Sequence, residues 1–88
     1  MTDPKDAASD FEELERLGRE IEDLAAQKLV REQSVRKMRD SEDLEKGVVF
    51  AQEIFQAQQE CLRLEVEMEL RRKKINRIRL ARDNGWEQ

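Results

Sequence analysis

FAQEIFQAQQECLRLEVEMELRRKKINRI, residues 50–78, is the stretch that decides the fold. Within it Phe50, Ile54, Ala57, Cys61, Leu64, Met68, Arg71, Ile75 and Ile78 follow one another at intervals of 4-3-4-3-4-3-4-3, with one charged member. Apolar residues repeating every three and a half positions lie along one side of a helix. Such a stripe is stable only when another helix covers it. The stretch therefore predicts a long helix with a buried seam, running from about residue 42 to about residue 83 and roughly 60 Å long at 1.5 Å per residue.

Working toward the N-terminus, Leu14, Leu17, Ile21 and Leu24 step 3-4-3 along one face and predict a first helix over about residues 10–39. Ser9 with Glu12, or Asp10 with Glu13, supplies a capping-box start. Lys28 and Arg31 interrupt this stripe before Val35 and Met38 restore it, and a small rotation bringing in Leu29 is the expected compensation. Residues 1–8, polar and containing Pro4, are expected to be a disordered lead-in, and residues 85–88 a short tail. Asn84-Gly85-Trp86 predicts the stop of the second helix, with Gly85 left-handed and Trp86 folded back on Leu80 or Ala81.

The two helices need a turn, and two positions compete for it. Asp40-Ser41-Glu42-Asp43 reads as a loop with Ser41 as the cap of the next helix. Lys46-Gly47 reads as a left-handed stop. Leu44, Val48, Ala51, Phe55, Gln58 and Leu62 form a second heptad stripe that runs through Gly47, and a helix ending there would leave Leu44 unused. The turn is therefore expected near residues 39–42, at a cost of about 1 kcal/mol for a glycine inside the second helix. The predicted fold is all-α: an antiparallel, coiled-coil-like two-helix hairpin.

Two stripes side by side on the second helix cannot both be covered by a first helix that presents one. A second copy of the chain, completing a helical bundle as a homodimer, is the expected solution, and a helix from another protein is the alternative. The expected protein interface is Phe50, Ile54, Phe55, Cys61, Leu62, Leu64 and Met68. Cys61, at a seam position, reads as a small buried hydrophobe.

Composition narrows the chemistry. Of 88 residues 43% are charged, one is proline, three are glycine, one is cysteine and none is histidine. Without histidine, and with a single soft ligand, neither a zinc site nor histidine catalysis is expected. No glycine-rich phosphate loop is present. A non-enzymatic role without metal or cofactor is expected, in a reducing, cytoplasmic setting, with no membrane span.

Residues 71–82 hold seven cations and no acid. Arg71, Arg72, Lys73, Lys74, Arg77, Arg79 and Arg82 are thus candidate contacts for an anionic partner such as nucleic acid. The competing explanation is internal. Residues 3–23 carry nine acids against three cations, and an antiparallel hairpin lays that segment beside the basic one. The net charge of −4 and the absence of tyrosine also weigh against nucleic acid.

No motif is specific enough to name a family. Phe11-Glu12-Glu13-Leu14 together with Asp43-Leu44-Glu45-Lys46-Gly47-Val48 resembles the small subunit of bacterial exonuclease VII, from which the cysteine and the intervening spacings depart. The format, a short charged hairpin, also resembles small co-chaperones of bacterial secretion systems and copy-control RNA-binding hairpins. Function does not follow from format alone. The expected role is an adaptor, assembly factor or co-chaperone, with a nucleic-acid-binding hairpin as the rival.

Overall fold

The structure, a computed structural model, describes the backbone of residues 4–86 and the side chains of residues 9–83. Two helices, α1 (Pro4–Ser41) and α2 (Ala51–Trp86), pack antiparallel into a rod 69 × 17 × 14 Å. No strand occurs among the described residues, so the predicted all-α hairpin is the observed fold. Helix α1 begins earlier than Ser9 predicts, with Pro4 at its first position, where the missing N–H costs nothing. Residues 4–8, expected to be a disordered lead-in, are therefore helical, and residues 1–3 lie outside the described ones. At the other end α2 runs through Asn84 and Gly85 to Trp86, beyond the predicted stop. The Trp86 side chain and residues 87–88 of the expected tail lie outside the described residues.

The turn is not at residues 39–42. Ser41 ends α1 instead of capping α2, and residues 42–50 form the connection. Asp43 and Val48 exchange two backbone hydrogen bonds, 2.9 Å and 2.8 Å, which pinch the loop shut. Between them the Gly47 N–H donates to the Leu44 carbonyl at 3.3 Å, and Gly47 takes a left-handed φ of 72°. Asp43 Oδ1 accepts from the amides of Glu45 and Lys46, so the aspartate caps this turn and not a helix. The cost is borne at Leu44, which sits at the tip 83% exposed. Helix α2 starts where the Phe50 carbonyl accepts the amide of Ile54, eight to nine residues later than predicted.

Moving the turn to Gly47 equalises the two arms. Lys28 pairs across the hairpin with Glu65, and Glu20 with Arg71. In that register Asp10 lies near Ile78 and Ala81, which it joins in lining one cleft. No part of the basic segment projects beyond α1 among the described residues.

The first stripe of α2 is the seam. Ile54, Leu64 and Met68 are buried, and Phe50, Ala57, Cys61, Arg71, Ile75 and Ile78 are half-buried, so every member faces α1. From α1, Leu17 and Val35 are buried and Leu14, Ile21, Leu24 and Met38 half-buried. The seam tolerates Lys28 because its aliphatic stem lies along the interface while Nζ reaches out to Glu65 at 3.0 Å and Glu32 at 3.7 Å. No rotation brings in Leu29, which stays exposed.

Candidate functional site

Of the two stripes on α2, the first is the seam against α1 and the second flanks it on the surface. Set Ile54, Cys61 and Met68 at the heptad a positions of α2, and Ile21, Lys28 and Val35 at those of α1. The b and e positions of both helices then come together on one broad face. A groove of about 690 Å³ marks this face, with Glu32, Arg36 and Arg39 on the α1 wall and Phe55, Gln58 and Leu62 on the α2 wall. Lys28, Val35, Cys61 and Glu65 form its floor. Phe55 is 59% exposed and Leu62 61% exposed.

The second stripe is apolar only near the turn. Beyond Leu62 the same line of positions continues as Glu65, Glu69 and Arg72, and Arg72 donates to both acids at 3.3 Å. This ladder gives the stripe a polar end and confines its greasy part to one turn-proximal patch. Lys28 and Arg72 both donate to Glu65, which holds that carboxyl below the ordinary glutamate range. The reciprocal bond from Lys28 to Glu65 holds the lysine above its usual value. Both groups are charged at neutral pH, so the groove floor is a fixed ion pair and offers no group poised to exchange a proton.

Of the seven residues expected at a protein interface, five are spent inside the hairpin. Ile54, Leu64 and Met68 are buried, while Phe50 and Cys61 are half-buried against α1. The Cys61 thiol lies 3.9 Å from the Lys28 carbonyl, a weak donor contact to the facing helix. Only Phe55 and Leu62 remain on the surface. The spacing reveals both stripes but not which one α1 would choose. The longer stripe, with a single charged member, won because it buries more apolar surface. Arg36 and Arg39 were not singled out from the sequence. Their signal is that they share heptad flanks with Glu32, facing Phe55 and Leu62 once the register is known.

The basic segment divides. Arg71 donates to Glu20 across the hairpin at 2.9 Å and to Glu67 on its own helix at 2.8 Å. Arg72 is held by Glu65 and Glu69. Lys74 lies close enough to Glu13 to help lower its pKa, behind the larger effect of the Arg16 hydrogen bond. Lys73, Arg77, Arg79 and Arg82 are exposed and make no ion pair within 4.0 Å among the described side chains. Arg77 lines a cleft with Asp10 and Glu13 of α1, and Lys73 one with Arg16 and Glu20.

Among the described residues no helix is long and apolar enough to cross a membrane. Comparison with protein-family models, curated proteins and solved structures finds no match to this chain.

Proposed function

We propose that this hairpin is a non-catalytic interaction module, an adaptor or assembly factor, whose working surface is the groove between Arg36 and Phe55. The observation that carries this reading is the exposure of Phe55 and Leu62 one heptad apart on a rigid helix. Two large side chains seven positions apart are the anchor pattern that another helix recognises. Exposed apolar pairs of this kind lose free energy in water and regain it on docking, at about 25 cal/mol per Å². The arginines on the facing wall add a charged rim, which supplies orientation more than affinity.

A photo-crosslinking residue at position 62, compared with the same residue at Gln56 on the opposite face, tests the reading in the native host. Protein adducts at 62 and none at 56 support it. Equal labelling, or no protein adduct at 62, removes the groove as the working surface.

The exposed Lys73, Arg77, Arg79 and Arg82 favour a second reading, in which the open end of the rod binds nucleic acid. Acids interleaved among them, at Glu13, Glu20, Glu67 and Glu69, lower the local positive potential. Titration with mixed DNA and RNA at two salt concentrations decides it, since phosphate contacts weaken steeply as salt rises.

A further inference from the structure

We infer that a cleft in the open half of the rod binds a compact anion carrying several phosphoryl groups. The cleft lies on the flank of the seam formed by g and c positions, across the rod from the groove, and is independent of what the groove docks. Its volume is about 400 Å³, and five cations and two acids line it.

The two acids are already answered inside the hairpin. Glu20 accepts from Arg16 at 3.2 Å and from Arg71 at 2.9 Å, and Glu67 accepts from Arg71 at 2.8 Å. Lys73, Lys74 and Arg77 are left over. All three are exposed, and none makes an ion pair within 4.0 Å among the described side chains. Lys73 and Arg77 stand four positions apart on α2, and Lys74 and Arg77 three, so each pair is a pair of surface neighbours whose like charges work against the helix. Arg77 also borders the second cleft, with Lys74, Asp10 and Glu13. Glu13 is held there by Arg16, and Asp10 by itself does not offset three cations.

An anion set among these side chains replaces their mutual repulsion with charge-assisted hydrogen bonds. The apolar walls strengthen the effect. Leu17, 1% exposed, backs the cleft on the α1 side, and Leu70 stands on the α2 side. Cations gathered in a cleft with apolar walls focus their field on whatever enters. Three cations call for several negative charges in a small volume, which a short chain of phosphoryl groups supplies. Arg77 adds the planar fork that pairs with two phosphate oxygens. A chloride ion or a single carboxylate brings one charge and leaves the other cations unanswered. Arg79 and Arg82, equally exposed, lie outside the cleft, which separates this site from a general basic surface.

Tripolyphosphate is the probe, titrated by calorimetry into the full chain at low salt. Lys73→Ala combined with Arg77→Ala should weaken its binding about tenfold or more. Arg79→Ala combined with Arg82→Ala removes the same charge outside the cleft and should change binding by less than about twofold. Lys74→Gln, which keeps the length of the side chain, supplies the answer if circular dichroism shows the first variant unfolded. Equal losses in the two double variants overturn the site and leave only the overall charge of the segment. Absence of tripolyphosphate binding to the parent chain also overturns it, and if an RNA homopolymer still binds, the surface belongs to nucleic acid. Phosphatidylcholine vesicles with and without phosphatidylinositol bisphosphate identify the source of the phosphates. Retention on the phosphorylated vesicles, lost in the Lys73 and Arg77 variant, supports the site with a lipid headgroup as its ligand. Tripolyphosphate binding without retention supports it with a free anion.

Discussion

Gly47 is the residue on which the hairpin turns, and its requirement is conformational. Its φ of 72° lies where a Cβ crowds the following carbonyl, yet a Cβ there would meet no neighbour within 4 Å. Gly47→Ala should therefore destabilise the chain by about 1 kcal/mol through backbone strain alone. Urea denaturation of the two chains measures this, and an unchanged midpoint would show that the turn relaxes to another shape at no cost. Leu44 shows the complementary point. A leucine placed in perfect heptad register is left at the tip because the Asp43–Val48 pinch and the Asp43 carboxylate satisfy more polar groups than one apolar contact is worth. The local signal that reveals this is Asp followed four residues later by Gly. It is weaker than a seven-residue repeat, which is why the stripe misleads there.

At the scale of the elements, the seam was legible because nine positions, Phe50 and eight of α2, obey one period and all nine are buried or half-buried. The start of α2 was not, since no Ser, Thr, Asp or Asn caps it and the first helical bond goes to the carbonyl of Phe50. The groove was half legible. Its apolar wall is visible as a second stripe, but its arginine wall belongs to the other helix and depends on where the turn falls. That same shift of the turn changes what α2 past Leu70 does. With arms of equal length, residues beyond 70 cover the first half of α1 through Ile75, Ile78 and the Arg71–Glu20 pair. Removing residues 71–88 should cost more helix than the removed residues contain, because α1 up to about residue 20 loses its cover. Isolated helix of that length is marginal in water. Far-ultraviolet circular dichroism of the shortened chain reads the loss directly. Full helicity in the remaining residues would mean that α1 stands without its partner.

For the molecule as a whole, charge sets the response to acid. Glu65, Glu13 and Glu60 are each held below the ordinary glutamate range, by hydrogen bonds from Lys28 and Arg72, from Arg16 and from Arg63 respectively. A carboxyl with a depressed folded value favours folding above its unfolded pKa, about 4.3, and that contribution disappears as pH falls through the folded value. The melting temperature should therefore be level from pH 7 to about 5 and decline between about 5 and 3. Glu65→Gln should flatten part of that decline, since its bond to Lys28 joins the two helices. An identical pH profile for both chains would show that the pair does not couple folding to protonation.

The pinched turn has a consequence for the order in which the rod comes together. Asp43 and Val48 are near neighbours in the chain, Lys28 and Glu65 stand 37 residues apart, and Glu20 and Arg71 stand 51 apart. Closing each of the outer pairs from an open coil means gathering a long loop, but once the turn is set every further pair closes only a few residues more. The chain is thus a zip with one fixed end. Its open end, where the charged flanks lie, is the last part to join and the first to come apart.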